Sequence, residues 1–172
     1  MDVLKRNHVK VLGNRGPVLM YAHGFGCSQD MWHRLTPAFA GAYRQILFDY
    51  VGSGKSDLGA FDAKRYASLH GYVQDILEIC DALGFEGGIT LVGHSISSNI
   101  ALLASIARPG LFDRLILVGP SPCFLNDPPA YRGGFDRPDL EGLLALMDQN
   151  YMGWASYLAP VISGEAGGGS RG

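Results

Sequence analysis

Leu91-Val92-Gly93-His94-Ser95-Ile96-Ser97 is the stretch whose residue types and spacing are best suited to chemistry. The apolar run Gly88-Ile89-Thr90-Leu91-Val92 reads as a short buried strand, Gly93-His94-Ser95 as a sharp turn, and Ile96 to Ile106 as a helix. Strand, turn and helix in that order lift a serine hydroxyl to the top of a sheet and aim a helix N-terminus at it, the layout of a nucleophile elbow. A serine nucleophile needs a general base and an oxyanion hole. The hole can be drawn from the sequence. One donor is the backbone N–H of Ile96, and the other is that of Phe25, which follows His23-Gly24 at the end of an earlier strand. The plainer alternative is a tight turn in which Ser95 only caps a helix. A Gly-x-Ser triplet alone favours that alternative; His-Gly-Phe-Gly at the earlier strand end tips the reading to the elbow. Ser97 stands where the commoner G-x-S-x-G pattern has its last glycine, and a serine is small enough for the helix to approach the strand.

The base is harder to find. In an elbow the partners follow the serine, first Asp or Glu and then His, yet no histidine follows His94. His94 is adjacent to Ser95, but a sharp turn points neighbouring side chains apart, so a buried, hydrogen-bonded role is expected for it. His23 is expected to shape the Phe25 loop, and His33 and His70 to lie on helix surfaces. Asp113, Asp127, Asp136, Asp139 and Asp148 read as caps and solvated loop charges.

The elements that must position these groups alternate. Val9–Leu12 reads as an edge strand, Pro17–Ala22 as a buried strand, Met31–Phe39 as a helix with Trp32, Leu35 and Phe39 on one side, and Gln45–Tyr50 as a strand. Apolar residues at 69, 72, 73, 76, 77, 80 and 83 predict a helix over Leu69–Leu83, stopped by Gly84. A strand at 88–92, a helix at 96–106 and a strand over Arg114–Val118 complete a doubly wound, mostly parallel α/β sheet, with function collecting at the carboxyl ends of its strands. From Pro120 the chain turns to proline, glycine and aromatics, followed by a helix over Leu140–Tyr151. Tyr151, Trp154, Tyr157 and Leu158 continue an aromatic surface, where core packing and pocket lining both remain open for the tyrosines.

Composition narrows the partners. The 172 residues, 47% hydrophobic and 17% charged, suit one globular domain. A formal net charge of −2 with scattered cations gives no reason to expect nucleic acid or an acidic membrane. No apolar run approaches a membrane span, and the polar start Met1–Arg6 lacks a signal peptide, so the expected location is cytoplasmic. Three separated cysteines without zinc spacing read as free thiols; no metal and no cofactor is called for. Gly52-Ser53-Gly54-Lys55-Ser56 imitates the end of a phosphate loop, but Asp49 occupies the position that needs the first glycine, and a carboxylate there would repel phosphate. Nucleotide binding is rejected.

Together, Arg6-Asn7-His8-Val9, His23-Gly24-Phe25-Gly26-Cys27, Phe48-Asp49-Tyr50-Val51-Gly52-Ser53-Gly54, Gly93-His94-Ser95, Pro120 to Asp127 and Asn150-Tyr151-Met152-Gly153-Trp154 resemble the RsbQ-type α/β hydrolases, bacterial regulators of the sigma-B stress pathway related to plant strigolactone and karrikin receptors. The resemblance runs to about Val161. It implies an α/β-hydrolase fold with a helical lid over an apolar pocket, and a Ser–His–Asp triad acting on a small hydrophobic ester or lactone-like molecule. It also implies a role in stress-response signalling with a PAS-domain phosphatase as partner. By position, it implies Ser95 as nucleophile, Phe25 and Ile96 as oxyanion donors, and Phe25, Phe135 and Trp154 as ligand contacts. The family's Asp, His, last two strands and most of the lid have no counterpart in these residues, so the chain is expected to be an N-terminal fragment. Its expected organisation is a core over 1–119, the start of a lid over 120–161, and a flexible glycine-rich tail over 162–172. A non-catalytic ligand-binding signalling module and a non-functional fragment are the alternatives.

Overall fold

The structure is a computed structural model that describes residues 2–163. Two compact units divide after Ser121. In the first, the described strands form a five-stranded sheet: β1 (Lys10–Leu12), β2 (Val18–Ala22), β3 (Arg44–Leu47), β4 (Ile89–His94) and β5 (Phe112–Val118). Their spatial order is β1-β3-β2-β4-β5, with β1 antiparallel to β3 and every other pairing parallel. This is the mostly parallel α/β sheet anticipated from the alternating pattern.

Side-chain alternation along the strands builds two apolar layers. Met20, Ala22, Ile46, Phe48 and Leu91 enter one, covered by Ile76 and Ile79 of α2 (Leu69–Ala82) and Ile100 and Ala104 of α3 (Ile96–Ala107). Leu19, Tyr21, Leu47 and Val92 enter the other, covered by Trp32. Each fully buried Leu, Ile or Phe contributes about 1.5–3 kcal/mol. Helix α2 ends as its sequence asks: Gly84 takes φ +72°, and Phe85 N–H donates back to the Cys80 carbonyl.

Two sequence expectations for this unit are corrected. The segment Met31–Phe39 is not one helix but two 3₁₀ turns, Gln29–Trp32 and Thr36–Phe39, because Pro37 lacks the N–H a continuous α-helix would need there. The strand expected over Gln45–Tyr50 ends at Leu47. Beyond it the backbone pairs elsewhere: Asp49 N–H donates to the Asn7 carbonyl and Tyr50 N–H to His23 Nε2. The polar start of the chain also forms a helical turn, α1 (Val3–Arg6), capped by the Asp2 carboxylate.

That turn delivers Arg6 and Asn7 into a buried polar cluster around Asp75 of α2, which is fully buried. One Asp75 oxygen accepts from Arg6, Arg65 and the Tyr66 hydroxyl, the other from Asn7 and the Val51 N–H. One carboxylate thereby ties α1, α2 and the loop after β3 together. At the far edge, β5 pairs only with β4 among the described residues, and Ile116 and Val118 are exposed on it.

In the second unit, residues 122–136 form a looped segment in which Asn126 Oδ1 accepts from Gly134 N–H and Phe135 N–H donates to the Phe124 carbonyl. Helices α4 (Arg137–Gln149) and α5 (Tyr151–Ser163) follow. The single helix expected over Leu140–Tyr151 is broken at Asn150, whose non-helical backbone (φ −152°, ψ 80°) ends α4 and whose side chain accepts from the Gly153 N–H to start α5. Of the tail expected at 162–172, the first two residues finish α5 and residues 164–172 lie outside the described residues. No described helix is long and apolar enough to cross a membrane.

Candidate active site

Sheet register brings the strand ends together. Ala22 of β2 lies opposite Gly93 of β4, and His94 lies opposite Val118 of β5. Ser95 follows at φ +56°, ψ −121°, one of two non-glycine residues with positive φ among those described. An L-residue is strained there, at a cost of order 1–3 kcal/mol. The strain is held by neighbours: Ser95 N–H donates to the Val118 carbonyl at 2.8 Å, and Ser98 N–H to the Ser95 carbonyl at 2.9 Å. Ser95 itself is half-buried. Ile96 begins α3, so its N–H is among the donors a helix leaves unmatched in its first turn.

The loop after β2 packs directly on this turn. A Cβ at Gly24 would fall 2.5 Å from His94 Nδ1 and 3.4 Å from Ser95 Cβ, so glycine is required for the approach. The next residue, Phe25, has an exposed side chain. Gly93 is required as well, since a Cβ there would lie 2.4 Å from the Ser97 carbonyl oxygen. Gly93→Ala is therefore expected to cost about 1–3 kcal/mol by overpacking the elbow, read as a lowered urea midpoint. An unchanged midpoint would show that α3 can back away.

His23 is almost wholly buried beneath this loop. Its Nε2 accepts from Tyr50 N–H at 3.3 Å, which assigns the proton to Nδ1; Nδ1 then donates to the Gly24 carbonyl at 2.9 Å. The role expected for it, shaping the Phe25 loop, is carried by that bond. Burial lowers the His23 pKa below its ordinary 6.5, outweighing the Gly24 bond and the Asp49 carboxylate 4.0 Å away. Burial lowers His94 too. The unfolded chain takes up protons near pH 6.5 that the folded one resists. Stability from these groups is therefore complete above pH 6.5 and is lost as pH falls below it toward the folded values. The thermal midpoint is expected to drop between about pH 7.5 and about pH 5.5. A midpoint that rises on acidification would contradict a neutral His23.

His94 differs from its expected hydrogen-bonded role. Its ring meets Trp32 edge-on at 6.5 Å, and Nδ1 is buried with no partner among the described residues. The tight Gly24 contact leaves that nitrogen facing backbone, not a donor. His33 and His70 are exposed, as expected. None of the five imidazoles is hydrogen-bonded to the Ser95 hydroxyl among the described residues.

Sequence reasoning valued Ser97 only for its size and missed its hydroxyl. Ser97 is fully buried; its Oγ donates to the His23 carbonyl at 2.5 Å and lies 3.0 Å from the Tyr50 hydroxyl. The signal was available: a serine where glycine is usual. The glycine-rich loop after β3 folds around its own carboxylate. Asp49 accepts from Gln29 N–H and Lys55 N–H, and a Cβ at Gly54 would strike that carboxylate at 2.5 Å. No cradle for phosphate is left there.

The sequence pattern of the α/β hydrolase fold matches residues 17–158. The chain belongs to the α/β hydrolase family. It is 42% identical over 163 residues to strigolactone esterase D14 of Arabidopsis thaliana and 40% identical over 165 residues to karrikin insensitive 2 receptor CA of Petunia hybrida, in each case over 95% of this chain and 60% of the relative. Among solved structures, a hydrolase from Oleispira antarctica superposes with a TM-score of 0.83 at 49% identity, over 92% of this chain and 58% of that one. This α/β hydrolase chain thus spans about 60% of the length of the curated relatives it matches.

Of the site residues anticipated, Ser95, Ile96 and the Phe25 loop meet in the first unit. Phe135 and Trp154 belong to the second. There Phe135 lines a groove with Pro138, Leu143, Leu146 and Tyr157, and Trp154 is buried with its ring 5.4 Å from that of Tyr151.

Proposed function

We propose that Ser95 is the nucleophile of a serine hydrolase that acts on a small hydrophobic ester or lactone-like molecule. The N–H groups of Phe25 and Ile96 hold the oxyanion, and Phe25, Phe135 and Trp154 contact the ligand. Attack by the Ser95 oxygen on the carbonyl carbon gives a tetrahedral oxyanion; expulsion of the alcohol leaves an acyl-serine that water then cleaves. The proton from Ser95 must pass to a base, and in this reading the triad His and Asp come from outside these 172 residues. The observation that carries the reading is the strained backbone of Ser95 between β4 and α3, with the Gly24-Phe25 loop packed against it. Backbone strain held by its surroundings is characteristic of functional turns.

The role we propose is regulatory: a cytoplasmic sensor of RsbQ type, paired with a PAS-domain phosphatase in stress signalling. Its support is the motif set quoted above and the presence of receptors among the relatives. The deciding experiment is incubation of the chain with a fluorophosphonate followed by intact-mass and peptide mapping. Slow, single addition at Ser95, absent in Ser95→Ala, is expected. Modification at other hydroxyls with Ser95 untouched would remove the nucleophile and the mechanism with it. Loss of phosphatase binding in a folded Ser95→Ala chain would count against a partner surface separate from the chemistry.

A further inference from the structure

We propose that Ser97 is a positioning residue for the oxyanion hole, its hydroxyl locking the helix that carries one donor to the loop that carries the other. The inference deepens the proposed function and rests on its choice of donors.

The two donors stand on different elements. Ile96 is the first residue of α3, whereas Phe25 lies in the loop after β2, far away in sequence. An oxyanion hole works only if both N–H groups converge on one point, within about 2.7–3.1 Å of the developing charge. Something must set the spacing between helix and loop. Backbone packing sets a minimum through Gly24 and Gly93, but a steric floor does not pull the elements together. Ser97 does. It sits one residue after Ile96 on the first turn of α3, and its Oγ–H reaches the carbonyl of His23, two residues before Phe25.

Having spent its one proton on His23, Ser97 Oγ is left as an acceptor, and the Tyr50 hydroxyl at 3.0 Å is its donor. Burial raises Tyr50 well above the ordinary phenol range, so that donor keeps its proton. Tyr50 is itself wedged edge-on against His23, Phe48 and Tyr72, which fixes the rotor from behind. On the loop side, the Gly24 carbonyl accepts from His23 Nδ1 and from Cys27 N–H. That carbonyl shares a peptide plane with the Phe25 N–H, so holding one aims the other. Both peptide planes ahead of Phe25 are thus held, one of them by Ser97. A glycine at 97 would leave the His23 carbonyl without this bond, buried where an unmade bond is costly.

The test compares the parent chain with Ser97→Ala, Ser97→Thr, Tyr50→Phe and Ser95→Ala. The readouts are the Phe25 amide resonance in ¹H–¹⁵N spectra and the residual hydrolysis of p-nitrophenyl acetate. In Ser97→Ala the Phe25 resonance is expected to shift and broaden while those of Leu91 and Val92 stay put. Residual kcat is expected to fall about tenfold at unchanged KM, less than the loss on deleting a donor outright. Ser97→Thr is expected to restore both readouts, and Tyr50→Phe to move them the same way by less. A folded Ser97→Ala chain with the parent's Phe25 resonance and kcat overturns the proposal. Should Ser97→Ala not fold, an unmoved Phe25 resonance in Tyr50→Phe overturns it equally. Failure of fluorophosphonate to label Ser95 in the parent strikes the proposed nucleophile instead, and the Phe25 resonance still decides the role of Ser97.

Discussion

The 172-residue chain is expected to turn over p-nitrophenyl acetate about 10⁴- to 10⁶-fold more slowly than a hydrolase whose serine has its base in place, and Ser95→Ala is expected to change that low rate by less than about tenfold. A serine hydroxyl is a weak nucleophile until a neighbouring group removes its proton. His94 is next in sequence, but its buried Nδ1 faces the Gly24 loop. His23 has both ring nitrogens engaged, one with Tyr50 N–H and one with the Gly24 carbonyl. Members of a catalytic unit are strongly non-additive: once the base is missing, removing the nucleophile costs little more. In the proposed reading, what survives is the oxyanion hole, worth roughly 10³–10⁴ over water in such systems. A steady-state assay of parent and Ser95→Ala chains checks this directly. A rate typical of complete hydrolases that vanishes in Ser95→Ala would mean that one of the five histidines does serve as base.

The second large effect falls on stability. Asp75→Ala is expected to cost about 3–5 kcal/mol, a large part of the roughly 5–15 kcal/mol that holds a domain together. The carboxylate is fully buried and accepts from five donors. Alanine would leave Asn7 and the Val51 N–H without that acceptor in a dry interior, and would leave Glu78 as the one carboxylate among the described residues that Arg6 and Arg65 share. Because α1 and the loop after β3 hang on the same group, both are expected to loosen, and with the loop goes Tyr50, the support of Ser97 and His23. Asp75→Asn keeps the shape but not the charge and is expected to lose less. Urea denaturation followed by circular dichroism measures the difference. A cost below about 1 kcal/mol for Asp75→Ala would mean water enters and replaces the carboxylate.

The sequence alone reached most of the frame. Apolar runs located β2, β4 and β5, and helical spacing located α2 and α3, to within a few residues, because each of these segments carries its apolar residues close together in the chain. Elbow chemistry is equally local: Gly93 and Ser95 must stand where strand meets helix, and Gly24 where the second loop crosses, whatever else the chain does. Local signals failed where partners are remote. Pro37 broke a helix that apolar spacing favoured, and the strand at Gln45 ended early because Asp49 and Tyr50 pair with Asn7 and His23. Asp75 gave no warning in the amphipathic pattern of α2, since its five partners come from three other segments.

Residue types and order therefore determined that this chain is an α/β hydrolase carrying a serine at the elbow position. Only the tertiary structure decided how that turn is held. Strand register sets Ala22 against Gly93 and His94 against Val118, and hydrogen bonds spanning 74 residues from Ser97 to His23 and 47 from Tyr50 to Ser97 close the gap between helix and loop. Bonds of that span depend on where the folded backbone places their ends, and no periodicity in a linear chain encodes that distance.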